Sequence, residues 1–287
     1  MMGANATAKP EPTMRTRPFR CLLSTLLWIF LSATSARADI VALLPRIKPA
    51  IVGVGTFNPL GVPRIRLLGT GFVVADGHYA VTNAHVLPRL LDVEKGETLA
   101  IFERDGNEVH ARKVAKAASD PEHDLVLLKF EGPPLPALRL GHFADVQEGQ
   151  TYYFTGFPVG AALGLYPATH RAGLAAIAPI YSPPATVKGL TAKLIHRAED
   201  PFLMFQLDAV AYPGNSGSPL YDGETGEVIG VINAVFVKGA KENALKDPTA
   251  ITYAIPAKYV RIMLLHAGLA PTPAPERDAL PGAAPAS

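Results

Sequence analysis

Gly214-Asn215-Ser216-Gly217-Ser218-Pro219 sets one serine in a glycine-flanked turn, a few residues after an apolar, strand-like segment. Two upstream segments complete a chemical pattern: Thr82-Asn83-Ala84-His85, and Asp124 at the head of Leu125-Val126-Leu127-Leu128. A serine hydroxyl is a weak nucleophile at its free pKa; it needs a base within hydrogen-bond reach, and the base needs an acceptor that orients it. His85 follows Tyr79-Ala80-Val81-Thr82, so its ring is expected to project from a strand end. Asp124 opens a nearly continuous apolar run, where an unpaired carboxylate is unfavourable and a histidine N–H is its natural partner. Asp120 is the alternative orienter, but it precedes Pro121 and reads as a solvated turn residue. The order His85, Asp124, Ser216 predicts acyl transfer through a covalent serine intermediate.

Such chemistry also needs N–H groups converging on a developing negative charge, where one donor is worth about 3 kcal/mol. Gly214 and Gly217 permit an unusual backbone path around Ser216. The N–H groups of Gly214 and Ser216 are the expected donors, with Asn215 as a third candidate.

The surrounding chain reads as short strands separated by Gly and Pro. Candidates in the first half are Ala50–Phe57, Gly69–Val74, Tyr79–Thr82, Leu99–Phe102, Val109–Val114 and Leu125–Phe130, with hairpin turns at Asp76-Gly77 and Asp105-Gly106. In the second half they are Tyr152–Thr155, Gly173–Ile177, Met204–Leu207 and Val228–Val237. Pro256 to His266, with Gly268 just beyond, carries the start and stop signals of a short helix. Phe72, Phe102 and Phe130 fall at strand positions expected in the core.

The N-terminus has a different character. Arg15, Arg17 and Arg20 precede an 11-residue, mostly apolar run from Cys21 to Leu31, and Ala36-Arg37-Ala38 follows. This is the layout of a secretory signal with cleavage before Asp39; Met14 is an alternative start. A membrane anchor would need about 20 apolar residues. Five of the 27 basic residues but only one of the 25 acidic residues precede Asp39, so the processed chain carries 22 against 24, a net −2. The basic balance belongs to the presequence, which removes the electrostatic argument for nucleic acid or for an anionic membrane surface. Cys21, the single cysteine, leaves with it, so the processed domain relies on its core rather than on disulfides, as suits an exported bacterial protein. Pro271 to Ser287 is a Pro/Ala-rich tail expected to be disordered. The histidines His78, His110, His123, His142, His170, His196 and His266 lack metal-ligand spacing.

These segments together resemble the trypsin-like serine endopeptidases of the chymotrypsin superfamily, and most closely the HtrA/Deg type. The matching motifs run from Gly69-Thr70-Gly71-Phe72-Val73-Val74 and Val81–Val86 through Asp124–Leu127 and Gly156-Phe157-Pro158. They continue with Asp208-Ala209, Pro213–Gly217, Gly226–Gly230 and Tyr253–Pro256. The resemblance implies an all-β protein of two perpendicular six-stranded antiparallel barrels with a short C-terminal helix. His85 and Asp124 would lie on an N-terminal barrel (39–145) and Ser216 on a C-terminal barrel with the helix (146–269), after a signal (1–38) and before the tail (270–287). It implies that substrate adds a strand beside Ile232-Asn233-Ala234. It also implies that Val210, Ala211 and Tyr212 shape the side-chain pocket; Val210, with no carboxylate, predicts small or medium apolar side chains. No cofactor and no metal is implied. The implied partners are protein or peptide substrates in the periplasm or outside the cell, with a role in quality control of exported proteins. A non-catalytic peptide binder on the same scaffold is the alternative. The chain departs from the HtrA/Deg pattern in three ways: only about 20 residues follow the helix, so no PDZ domain is expected; Ser218 replaces a usual glycine; and Tyr212 replaces a common asparagine. No residue pattern speaks to the oligomeric state.

Overall fold

A computed structural model of the chain describes residues 40–106, 108–160, 164–179, 202–234 and 251–272. The expected signal (1–38), most of the expected tail (273–287) and the last part of the Val228–Val237 strand lie outside the described residues.

Twelve strands form two closed antiparallel barrels. The first comprises β1 (Ile51–Phe57), β2 (Ile65–Val74), β3 (Tyr79–Asn83), β4 (Thr98–Asp105), β5 (Glu108–Asp120) and β6 (Leu125–Phe130). The second comprises β7 (Thr151–Gly156), β8 (Ala168–Pro179), β9 (Leu203–Asp208), β10 (Pro219–Asp222), β11 (Val228–Asn233) and β12 (Ile251–Pro256). The strand orders, β1-β2-β3-β6-β5-β4 and β7-β8-β9-β12-β11-β10, are the same topology used twice. Closure removes the free sheet edges that short strands would otherwise expose.

Each barrel is filled from inside. Val73, Ile101, Leu128 and Phe130 fill the first barrel, and Phe154, Leu174, Phe205 and Leu207 the second; Phe72 and Phe102 are also buried, on the opposite strand face, in a cluster that reaches Tyr221 and Val231 of the second barrel. The expected turns appear at Gly77 (φ 90°) and Gly106 (φ 55°), conformations that glycine adopts without a Cβ penalty.

Three elements escape the sequence reading. β10 is four residues long and starts with proline, and β12 carries the Tyr253–Pro256 motif but gives little alternation of its own. The third is α1 (Ile40–Ile47), whose Pro45 argues against a helix; Leu43 and Ile47, one turn apart, are nevertheless buried. They pack on Gly226, where an added Cβ would come within 2.9 Å of Leu43 Cδ1. β5 is much longer than its apolar portion, because it pairs first with β4 and then, past a bulge at Lys116–Ala118, with β6.

The segment from Glu131 to Gln150 joins the barrels and pairs with both. Leu138 N–H donates to Val73 O on β2, and Leu140 forms a parallel bridge with Val228 on β11. After β12 the helix α2 (Ala257–His266) buries Tyr259, Val260, Met263 and Leu264. Tyr259 stacks on His123 with ring centroids 3.8 Å apart, and His123 Nδ1 lies 2.7 Å from Asp120 Oδ2. Asp120 therefore holds a histidine other than His85, and this clasp ties α2 to the β5–β6 turn of the first barrel. No helix among the described residues is long and apolar enough to cross a membrane.

Candidate active site

The register of β3 against β6 places Asn83 beside Leu125, so the residue leaving β3 meets the residue entering β6. Ala84 N–H and Asn83 Nδ2 both donate to Asp124 O, at 3.0 and 3.1 Å. Asp124 has φ 52°, a left-handed conformation that aspartate tolerates better than most residues. The chain then makes a single 3-10 turn, Ala84–Val86, which carries His85. His85 docks on the Asp124 carboxylate at two points: its N–H donates to Oδ1 at 2.9 Å and its Nδ1 lies 2.5 Å from Oδ2. With Nδ1–H given to the carboxylate, Nε2 is left as the acceptor, and Ser216 Oγ stands 3.0 Å from it. Ser216 is only 5% exposed, so its hydroxyl is sheltered from bulk water.

A further donor comes from β11. Asn233 Nδ2 reaches Asp124 Oδ2 at 2.9 Å. Asn233 belongs to the segment expected to pair with substrate backbone; its side chain turns inward, and the residue is 3% exposed. Ile232 precedes it: its side chain is buried in the second barrel, its N–H donates to Ser218 O and its carbonyl accepts from Gly217 N–H. Ala234 follows at the end of the segment, and its N–H lies 3.3 Å from Ser216 Oγ.

The turn before the serine follows from its sequence. Asn215 N–H donates to Tyr212 O at 3.0 Å with Gly214 at φ 99°, the type II pattern that places Pro second and Gly third. Asn215 thus has its N–H engaged within the turn and is not a third donor to an anion. The N–H groups of Gly214 and Ser216 make no hydrogen bond among the described residues. Gly217 (φ 88°) passes so close to the first barrel that a Cβ there would sit 2.0 Å from Thr70 O. Ser218 Oγ and the side-chain amide of Asn215 are fully buried with no protein partner among the described residues, next to Gly156. Val210 and Ala211 are half-buried just after β9, and Tyr212 is 40% exposed. No group of three or more metal-ligating side chains occurs among the described residues.

The sequence matches the trypsin-like peptidase domain over residues 69–231. This chain belongs to the trypsin-like peptidase family. The matched span of this peptidase domain contains His85, Asp124 and Ser216 and stops short of Asn233. Among curated proteins, similarity is found to probable periplasmic serine endoproteases described as DegP-like. The one from Halomonas elongata is 31% identical over 173 residues, 60% of this chain and 30% of that protein. The one from Ectopseudomonas mendocina is 29% identical over 183 residues, 63% of this chain and 32% of that protein. The chain thus spans about a third of the length of these relatives. Among solved structures, the HtrA-type protease AlgW with a tripeptide superposes with a TM-score of 0.55 at 24% identity, over 80% of this chain and 65% of that one. That likeness concerns the fold: two closed six-stranded barrels and a short C-terminal helix.

Proposed function

We propose that this chain is an exported serine endopeptidase that cleaves peptide bonds through an acyl-enzyme on Ser216. The observation that carries this reading is the unbroken line from Asp124 Oδ2 to His85 Nδ1 (2.5 Å) and from His85 Nε2 to Ser216 Oγ (3.0 Å). Ser216 Oγ attacks the scissile carbonyl while His85 Nε2 takes its proton. Asp124 fixes the tautomer and stabilises the imidazolium that results. The carbonyl oxygen becomes an oxyanion, met by the N–H groups of Gly214 and Ser216. Collapse breaks the C–N bond as His85 hands its proton to the leaving amine. Water, activated by the same histidine, then releases the acid.

The half-buried, uncharged Val210 supports a pocket for small or medium apolar side chains. The relatives' description as periplasmic, with the Arg15–Ala38 layout, supports export to the periplasm and a role in turning over exported proteins. Protein or peptide substrates follow from the chemistry.

A fluorophosphonate probe tests the reading directly, since it reacts with a serine only when base and anion site act together. Labelling of the processed chain, lost in Ser216→Ala, is expected. An unlabelled wild type that still binds extended peptides would instead make it a non-catalytic peptide binder.

A further inference from the structure

Each backbone carbonyl from Tyr212 to Ser216 accepts a hydrogen bond. Tyr212 O accepts from Asn215 N–H, Asn215 O from Ser218 N–H, and Ser216 O from Thr70 N–H at 2.9 Å. The remaining two belong to the residues on either side of the Gly214 N–H. Pro213 O accepts from Val159 N–H at 2.7 Å, and Gly214 O accepts from Thr70 Oγ1 at 2.7 Å. A peptide unit is planar, with its C=O and N–H on opposite sides. Holding Pro213 O on one side therefore fixes Gly214 N–H on the other.

Thr70, on β2 of the first barrel, is fully buried; its hydroxyl donates to Gly214 O and accepts from Phe157 N–H at 3.0 Å, bridging two segments of the second barrel. Its own carbonyl is anchored by Thr82 Oγ1 at 2.6 Å. Val159 adopts φ 58°, a region that β-branched residues avoid, although its side chain is half exposed and no core packing demands that pose. The strained pose delivers its N–H to Pro213 O. The same loop brings Phe157 O so close to Gly214 that a Cβ there would lie 2.2 Å away.

We propose that Thr70 is a positioning residue for the anion site: Val159 N–H holds the Pro213–Gly214 peptide and Thr70 Oγ1 the following Gly214–Asn215 peptide, so that both units flanking the Gly214 Cα are fixed and the Gly214 N–H faces the reacting carbonyl before substrate arrives. The inference rests on Ser216 being the nucleophile. It assigns to a first-barrel threonine a part in stabilising charge that develops on the second barrel. It also makes the site competent without an activating ligand.

The test separates transition-state stabilisation from substrate binding. Thr70→Val keeps the shape and removes the hydroxyl; kcat on a chromogenic peptide with an apolar residue before the scissile bond is expected to fall about 10- to 100-fold, with KM within about twofold. Affinity for a peptide boronate, whose tetrahedral adduct is anionic, falls by the same factor, while affinity for the cleaved product peptide holds. Thr70→Ser recovers most of the loss. Where Thr70→Val folds poorly, Val159→Pro carries the test, because it deletes the N–H on a surface loop and forbids the positive φ; the same split is expected. A folded Thr70→Val or Val159→Pro with wild-type kcat and boronate affinity overturns the clamp. A wild type that is active only after a peptide ligand is added overturns the preformed site. A wild type that neither takes the fluorophosphonate nor cleaves peptide overturns the serine reading itself.

Discussion

Asn233 Nδ2 donates to Asp124 Oδ2 across 2.9 Å, joining the end of β11 in the second barrel to the carboxylate that His85 rests on in the first. A hydrogen bond to a charged acceptor contributes roughly 1.5–3 kcal/mol. Asn233→Ala is expected to lower kcat about 10- to 30-fold with little change in KM, by loosening the carboxylate rather than the substrate. Asn233→Asp, of nearly the same shape, sets a second carboxylate against the first and is expected to cost about 100-fold or more. Steady-state kinetics on a peptide substrate decide both, and an Asn233→Ala enzyme with wild-type kcat would remove Asn233 from the machinery.

Groups acting as a unit do not add. His85→Ala and Ser216→Ala are each expected to abolish all but a trace of turnover, and the double variant should be no slower than the worse single one. If the two losses multiply, His85 and Ser216 work separately and the 3.0 Å contact between them is incidental.

Two glycines with similar backbone angles should respond differently to alanine. Gly96 has φ 78° with nothing within 4 Å of an added Cβ, so Gly96→Ala is expected to cost about 1 kcal/mol from conformation alone. Gly217 has φ 88° and would drive a Cβ to 2.0 Å from Thr70 O and 2.4 Å from Thr82 Oγ1, so Gly217→Ala should cost at least about 3 kcal/mol and misplace the serine. Urea unfolding measures both; equal losses would mean the close approach to the first barrel is not sustained in solution.

Acid should weaken the second barrel through His170. Its ring stacks on Phe154 at 4.8 Å, its Nε2 is buried without a partner among the described residues, and burial pushes its pKa below the ordinary 6.5. The unfolded chain then takes up this proton first as pH falls, so the native state is not penalised above pH 6.5 and loses stability progressively below it. Unfolding midpoints of wild type and His170→Gln compared at about pH 7.5 and about pH 5.5 should show a steeper acid loss in the wild type. Parallel losses would clear His170 of the effect.

A carboxylate placed at the pocket should change what is cut. Wild type is expected to favour small and medium apolar residues before the scissile bond. Val210→Asp should bring cleavage after Lys or Arg up by about 10-fold or more relative to Ala or Val. A peptide library reads both, and a wild type fastest after Lys or Arg would contradict the pocket reading outright.

Residues whose role is carried by identity and order were legible in the sequence. The serine turn, the histidine at a strand end and the aspartate heading an apolar run each have a local signature, and the fold brings all three within hydrogen-bond reach. Most strands were legible too, because Gly and Pro punctuate them. What escaped depends on partners far away in the chain. Thr70 is one threonine among many until its hydroxyl is seen to span Phe157 and Gly214, residues 87 and 144 positions away. Asn233 stands next to Ala234 in an edge motif, and only the packing of β11 turns its amide towards Asp124 rather than outward. α1 was hidden by Pro45, whose local cost is outweighed by burying Leu43 and Ile47 against Gly226.

The clasp of Tyr259 on His123 and Asp120 has a bearing on timing. Ser216 precedes α2 by about forty residues, so a chain emerging N-terminus first presents its base, its orienter and its nucleophile before the helix that fastens the two barrels exists. On the proposed function, cleavage competence is expected to appear only once the last helix docks, which would spare the half-made protein from digesting itself and its neighbours. A chain stopped at Ile255 should therefore stay unlabelled by fluorophosphonate, whereas labelling of that truncation would show that the barrels find each other without the clasp.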